Sequence, residues 1–259
     1  MPDLDSCLEI AKSATLLAGN FLKEQQESNL KILANKARDL KLQIDIDAEE
    51  IIKEYITTNS SLPILAEESG KSGSLDDYFW VVDPLDGTSN FLHGIPHWAI
   101  SIALEYKNEI VAGVIYDPIK DEMFTAEKGQ GAWLNDRRLR VSDRTNTIEM
   151  LFATGVPFGT KKGLKSTLKE LEKLMPKCAG IRRQGAAALD LAYVAAGRLD
   201  GYWEKGIEAW DMAAGLVIAK EAGALIEGFA SPLEDPLTSG SVICANNLIF
   251  KNFAEILRE

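Results

Sequence analysis

The segment Trp80-Val81-Val82-Asp83-Pro84-Leu85-Asp86-Gly87-Thr88-Ser89-Asn90-Phe91 constrains this chain more than any other. Phe79 to Val82 is an uninterrupted apolar run, which predicts a buried strand. The run stops at a carboxylate, so Asp83 is expected at the sheet edge, where a ligand can reach it. Pro84 disfavours helix at Asp83, and its ring fixes the next turn. Gly87 allows a close backbone approach or a positive φ. Thr88 offers a hydroxyl and an N–H at the start of a short helix, a cradle suited to phosphate. Two aspartates three residues apart around such a turn can converge on one hard cation. Oxygen ligands without histidine suit Mg²⁺, Mn²⁺ or Ca²⁺ rather than Zn²⁺. The competing reading is an Asx turn, with Asp86 bonding its own backbone ahead of Gly87.

Two other carboxylates stand beside apolar elements. Glu67-Glu68 follows a short strand predicted for Ile64 to Ala66, and Trp210-Asp211 opens a helix rich in Ala and Gly. A solvated acidic turn competes in the first case and an ordinary helix N-cap in the second. Composition narrows the rest. With 28 Lys+Arg against 39 Asp+Glu, the formal charge of −11 argues against gripping nucleic acid through its phosphates and against a polybasic membrane contact. Only His93 and His97 are present, and the three cysteines, Cys7, Cys178 and Cys244, are scattered. That pattern fits reduced core thiols in a cytoplasm and leaves no Cys/His zinc site. No apolar stretch reaches the ~20 residues of a spanning helix, and the acidic start MPDLDSCLEI reads as neither a secretory signal nor a transit peptide.

The chain opens with an amphipathic helix, Leu4 to Phe21, ended by the polar run Lys23 to Ser28. A second helix is predicted over Ile46 to Ile56, with Asp45 or Asp47 near its N-terminus. Ser69 to Asp77 reads as a mobile surface loop. Strands are predicted at Trp98–Tyr106, Glu109–Asp117 and Glu122–Glu127, with a tight turn at Lys107-Asn108. The Gly129-Gln130-Gly131 string reads as a turn between strands rather than a nucleotide loop. Beyond it the pattern alternates: strands at Leu151–Thr154, Gly180–Arg183, Gly201–Glu204, Ala224–Ile226 and Ser241–Cys244, and helices at Leu164–Met175, Ala187–Ala196, Asp211–Glu221 and Asn247–Leu257. A meander followed by alternation implies α+β in the first half and α/β in the second. No linker separates the halves, so residues 1–259 are expected to form one domain with subdomains of about 1–145 and 146–259.

Asp83-Pro84-Leu85-Asp86-Gly87-Thr88, together with Trp210-Asp211-Met212-Ala213-Ala214-Gly215, resembles the inositol monophosphatase family in its bacterial form. The resemblance extends to Gly129-Gln130-Gly131-Ala132, Gly185-Ala186-Ala187-Ala188-Leu189-Asp190 and Cys244-Ala245-Asn246-Asn247. It implies a layered αβαβα sandwich of the inositol monophosphatase and fructose-1,6-bisphosphatase type. It further implies a phosphomonoesterase that uses two or three Mg²⁺ ions, with Mn²⁺ as a substitute. Carried over by position, Glu67, Asp83 and the Leu85 carbonyl hold one ion, and Asp83, Asp86 and Asp211 a second. Asp45 supports the attacking water or a third ion, and Thr88 orients that water. The Gly87 and Thr88 N–H groups bind phosphate, while Gly185, Ala186, Ala187 and Glu204 contact the alcohol.

The substrate implied is myo-inositol monophosphate or a similar polyol phosphate, with lithium sensitivity and a homodimer expected from relatives. Ser89-Asn90-Phe91 after Thr88 resembles the inositol monophosphatase branch. Fructose 1,6-bisphosphate and 3′-phosphoadenosine nucleotides are the rival substrates on the same fold. The rival of another class is a regulatory protein that binds a macromolecule, with phosphatase activity secondary. Ala186 removes a hydroxyl that many relatives carry. Glu208 reads either as an acid near the alcohol subsite or as a solvated loop residue. Arg182-Arg183 reads as facing substrate or partner, or as structural. His93 and His97 read as loop or packing residues.

Overall fold

The computed structural model describes residues 2–26, 32–36, 39–158 and 162–259. The chain runs α1 (Leu4–Gln25), β1 (Ile32–Lys36), β2 (Asp39–Leu42), α2 (Gln43–Asn59), β3 (Ile64–Ala66), β4 (Gly70–Ser72), β5 (Tyr78–Asp86), α3 (Thr88–Leu92), β6 (Ala99–Tyr106), β7 (Glu109–Asp117), β8 (Glu122–Glu127), β9 (Gly131–Leu134) and β10 (Arg137–Arg138). It continues with β11 (Leu151–Thr154), α4 (Leu164–Leu174), β12 (Gly180–Arg182), α5 (Ala187–Ala195), β13 (Gly201–Lys205), α6 (Ala209–Glu221), β14 (Ala224–Glu227), α7 (Pro236–Ser239), β15 (Ser241–Asn246) and α8 (Phe250–Arg258).

Among the described residues, β1 and β2 pair as a ribbon and the other strands form two sheets. The first has the order β10-β9-β8-β7-β6-β5-β3-β4 and is antiparallel except where β3 meets β5. The second has the order β12-β11-β13-β15-β14, with a parallel core and two antiparallel strands at one side. Strand alternation assigns the layers. In β5, Trp80 and Val82 face a core shared with α1 and α2, while Phe79 and Val81 face one shared with α5 and α6. In β13, Tyr202 faces α5 and α6, and Trp203 faces a third core with α8. Helices, sheet, helices, sheet, helices is the αβαβα sandwich expected.

α6 lies in the middle layer beside α5. Met212 through Ala219 are buried without a break, as a helix enclosed on all sides requires. It lies against β7 at Gly113, where a Cβ would come within 2.9 Å of Ala214 Cα and 3.0 Å of its carbonyl oxygen. Because the clash is with backbone, Gly113→Ala is expected to cost about 2 kcal/mol. Urea unfolding should show a lower midpoint at unchanged slope.

Several boundaries differ from the sequence reading. α1 ends at Gln25, and the end of the polar run at Ser28 lies outside the described residues. α2 extends beyond Ile46–Ile56 at both ends, which places Asp45 in its first turn. The expected loop Ser69–Asp77 contains β4, paired with β3 from Ile64↔Ser72 to Ala66↔Gly70. Ser72 Oγ caps that pairing by bonding both the N–H and the carbonyl of Ile64. α8 starts at Phe250 rather than Asn247, because Asn246 Oδ1 accepts the N–H groups of Leu248 and Ile249 and holds them in a turn. Lys107 and Asn108 both take positive φ, 49° and 64°, as a two-residue hairpin turn requires. Glu221, at the end of α6, accepts the N–H groups of Gly129 and Gly131 at 2.8 and 2.9 Å, so the Gly-Gln-Gly string is a turn tied to a carboxylate. Cys7 and Cys244 are buried and Cys178 is half-buried. Among the described residues, no helix is long and apolar enough to cross a membrane.

Candidate active site

β5 does not stop at Asp83. Its pairing with β6 continues to Asp86, with the register breaking between Asp83↔Ser101 and Asp86↔Ala99. Pro84 and Leu85 occupy that irregularity, where a residue lacking an N–H is tolerated. Asp83 therefore sits inside the ladder, buried, rather than at a sheet edge. The Asx bond belongs to Asp83, whose Oδ1 accepts the Leu85 N–H at 3.0 Å. Asp86 does something else: its Oδ2 accepts the N–H of Ala188, 102 residues away in the first turn of α5, at 2.8 Å. Gly87 follows with φ 91°, and a Cβ there would meet the His97 carbonyl oxygen at 3.1 Å. α3 then begins at Thr88, whose Oγ1 donates to the Leu85 carbonyl at 3.0 Å.

α6 begins at Ala209, two residues before the sequence reading placed it, so Asp211 is not its N-cap. Glu208 is the cap. Its carboxylate accepts the Asp211 N–H, and Asp211 Oδ2 accepts the Glu208 N–H at 2.7 Å. This reciprocal capping box fixes the Asp211 side chain at the head of the helix. Glu208 is thus an exposed helix cap rather than a loop carboxylate.

These local devices bring Asp83, Asp86 and Asp211 together, with one carboxylate oxygen from each within 4.8 Å of the others. Burial first, then Glu67, Asp86 and Asp211, push Asp83 well above the ordinary carboxylate range, opposed by the Leu85 N–H. Burial and Asp211 do the same to Asp86, opposed by the Ala188 N–H. Such mutual repulsion between buried acids is costly to fold. An oxygen-only donor set turns that repulsion into ligation once a hard divalent cation is bound, so the residues fit such an ion. Glu67 and Asp45 lie outside this triplet. Glu67 leaves β3 close enough to raise Asp83, and Asp45 is buried in the first turn of α2.

A cavity of about 120 Å³ adjoins the cluster, lined by Asp86, Asp211, Glu204, Asp190, Ala187 and Arg183 among others. Gly185 and Ala186 also line it, so the residues predicted to contact the alcohol line one cavity. Gly87 and Thr88 do not line this cavity. A second hollow of about 550 Å³ is bounded by Glu67, Glu208, Trp210 and the same Asp211. Arg183 lies over the Phe158 ring, 5.6 Å from its centroid, and faces the cavity, which favours the substrate-facing reading of that arginine over the structural one. His97 is buried against Tyr193, whereas His93 ends α3 at the surface, as packing and loop residues.

Three contributors were not singled out in the sequence. Asn90 Nδ2 donates to the carbonyls of His97 at 2.7 Å and Gln184 at 2.8 Å, joining the β5–α3 turn to the loop before α5. Nothing local announces a contact 94 residues away. Tyr202 OH donates to Glu204 Oε2 at 2.7 Å; strand periodicity puts residues two apart on one face, so this pair was detectable. Asp190 accepts from Gln184 Nε2 at 3.1 Å, and burial holds its pKa well above the usual range, opposed by Gln184 and Arg183.

Residues 3–259 match the family model described as the inositol monophosphatase family. The inositol-1-monophosphatase of Rhizobium meliloti (strain 1021) is 44% identical over 258 residues, covering 97% of this chain and 96% of that protein. The Nus factor SuhB of Pseudomonas aeruginosa is 43% identical over 260 residues, covering 96% and 93%. The crystal structure of extragenic suppressor protein suhB from Bartonella henselae superposes with a TM-score of 0.92 at 42% identity, covering 98% of each chain. Similarity that spans the whole chain, on this fold and around this acidic centre, makes it a member of the inositol monophosphatase family, whose members are metal-dependent phosphatases acting on phosphate monoesters.

Proposed function

We propose that this chain hydrolyses myo-inositol monophosphate, or a similar polyol phosphate, to the alcohol and inorganic phosphate with Mg²⁺ as cofactor. The observation that carries the proposal is the convergence of Asp83, Asp86 and Asp211 beside the cavity walled by Glu204 and Asp190. In this reading Glu67, Asp83 and the Leu85 carbonyl hold one ion, Asp83, Asp86 and Asp211 hold another, and Asp45 serves a third or the attacking water. When bound, the ions supply the positive charge that draws a phosphate dianion into an acidic site and lower the pKa of water there.

The chain's own groups do the positioning. The Gly87 and Thr88 N–H groups at the head of α3 receive phosphate oxygens. Thr88 Oγ1 commits its proton to Leu85 and keeps lone pairs with which to orient a water. Glu204, held by Tyr202, accepts from the hydroxyls of the alcohol beside Gly185, Ala186 and Ala187. The cavity wall offers carboxylate acceptors and no aromatic face among its lining residues. That suits a polyol better than an adenine ring, which binds by stacking. Lithium inhibition and a homodimer are part of the same reading, as is a single working unit in which α6 of the second half packs on the sheet of the first.

The test is phosphate release from myo-inositol 1-phosphate, fructose 1,6-bisphosphate and 3′-phosphoadenosine 5′-phosphate, with and without Mg²⁺. The expected result is Mg²⁺-dependent release, fastest from the inositol substrate. Preference for either of the others would move the substrate class, and no release from any of them would overturn the catalytic reading. The similarity to proteins named Nus factor SuhB, over 96% of this chain, favours one second reading. In it the chain also serves by binding a macromolecule, and a catalytically dead variant would retain its cellular role.

A further inference from the structure

α2 carries two carboxylates on one face, Asp45 and, one turn later, Glu49. Glu49 is 3% exposed, yet both of its oxygens are engaged. Oε2 accepts the Glu68 N–H at 2.7 Å and Oε1 accepts the Ser69 N–H at 3.0 Å. Lys53 Nζ, a further turn along α2, donates to Ser69 Oγ at 2.8 Å and stands 3.8 Å from Glu49 Oε1. The two N–H groups belong to the turn by which the chain leaves β3, and Glu67 opens that turn. The Glu67 N–H donates to the Val82 carbonyl at 3.2 Å, which joins this turn to the sheet.

The location explains why a clamp is useful there. Among the described residues β4, on the far side of the turn, is the edge strand of its sheet and pairs only with β3. A three-residue edge strand gives a turn little rigidity. A buried carboxylate receiving two charge-assisted hydrogen bonds from consecutive N–H groups supplies it. Glu67 and Asp211 bound the same hollow, so the orientation of this turn decides how the Glu67 carboxylate meets the acidic centre.

We infer that Glu49 is a positioning residue that clamps the Glu67-Glu68-Ser69 turn, aims the Glu67 carboxylate at the metal centre and so sets metal affinity. The inference rests on the proposed role of Glu67 as a ligand. It makes Glu49, one turn along α2 from the buried Asp45, act through the backbone of Glu68 and Ser69.

The experiment measures Mg²⁺ affinity of the full chain by calorimetry and by the metal-induced rise in melting temperature, alongside kcat at saturating Mg²⁺. Glu49→Gln keeps the volume but sets an NH₂ against one of the two N–H donors. It is expected to weaken Mg²⁺ binding by about 10- to 100-fold, the range found when the partner of a metal ligand is lost. Turnover at saturating Mg²⁺ is expected to stay within about threefold, because the ions restore the geometry once bound. In a Glu67→Gln background the same change should have no further effect on affinity, since the clamp then holds no ligand. Additive losses would reveal a general structural effect and overturn the inference, as would unchanged affinity in a folded Glu49→Gln protein. Should Glu49→Gln not fold, Glu49→Asp is read in the same way: the shorter acid reaches one N–H, and unchanged affinity again overturns the clamp. If Glu67→Gln alone leaves Mg²⁺ affinity untouched, it is the ligand assignment that fails, and the clamp with it.

Discussion

Asp86→Asn is expected to lower kcat/KM for phosphate release by at least about 1,000-fold, a loss of about 4 kcal/mol of transition-state stabilisation. Asp86 is the carboxylate that ties the two halves of the centre together. One oxygen accepts the Ala188 N–H at the head of α5, and the group lies with Asp83 and Asp211 in the proposed cation site. An asparagine keeps the shape and can keep the Ala188 bond through its carbonyl oxygen, but brings no charge to a divalent ion. The fold should persist. Without metal, the variant should melt no lower than the parent, because a buried, mutually repelled carboxylate has been replaced by a neutral amide. Phosphate release, circular dichroism and metal-free melting on the same sample separate these effects. A folded Asp86→Asn protein with near-parental Mg²⁺-dependent turnover would sink the assignment of the centre.

A similarly large effect is expected in the stability of the metal-free protein. Asp83 and Asp86 are raised well above 3.8 in the folded state, chiefly by burial and by one another's neighbours. Above pH 4 these two groups therefore hold more protons in the folded than in the unfolded chain, and their contribution to stability falls as pH rises through the weakly acidic range. A bound divalent ion favours the ionised carboxylates, so its stabilisation should grow over the same interval. At about 100 times its dissociation constant, Mg²⁺ at pH 7.5 should contribute about 2.7 kcal/mol, or roughly 5–10 °C in melting temperature for a chain of this size. At pH 5 the gain should be clearly smaller. His97 works with the opposite sign. Burial, with Lys120 adding to it, lowers its imidazole from 6.5 to about 4, so the stability of its neutral form is lost as pH drops below 6.5. Because His97 lies outside the acidic cluster, its contribution cancels in the difference between scans with and without Mg²⁺. A Mg²⁺-induced rise that is equal at both pH values, or absent, would show that the cluster does not take up the cation as ionised carboxylates.

The strand and helix order was legible because period-two and 3.6-residue patterns repeat cleanly along most of the chain. β7 and β8 begin and end where the sequence placed them. β4 was missed because Gly70-Lys71-Ser72 has neither apolar alternation nor β-branched residues, and only its pairing with β3 makes it a strand. β5 was cut short at Asp83 because a polar residue followed by proline normally ends a strand, whereas a break in register lets this one continue. Asp83 and Asp86 could be named from their shared turn after an apolar strand, whereas only the family resemblance joined Asp211 to them. What joins the three to the rest of the protein could not be named. The bonds from Ala188 to Asp86 and from Asn90 to Gln184 cross about 100 residues. The capping role of Glu208 depended on a helix start two residues earlier than the Ala/Gly pattern indicated.

The cavity beside the aspartates has walls of separate origin. Asp86 comes from the antiparallel first sheet, while Gly155, Gly185 and Glu204 come from the mixed second sheet and its loops. A Cβ on Gly155 would lie 1.7 Å from Glu204 Oε1, so any larger residue at that position would displace this acid and reshape the cavity. Changes at Gly155, Ala186 and Glu204 would alter this cavity while leaving Asp83 and its partners untouched. On the proposed reading, the acidic centre and the cavity that would select the alcohol draw on different sheets, so each can change without the other.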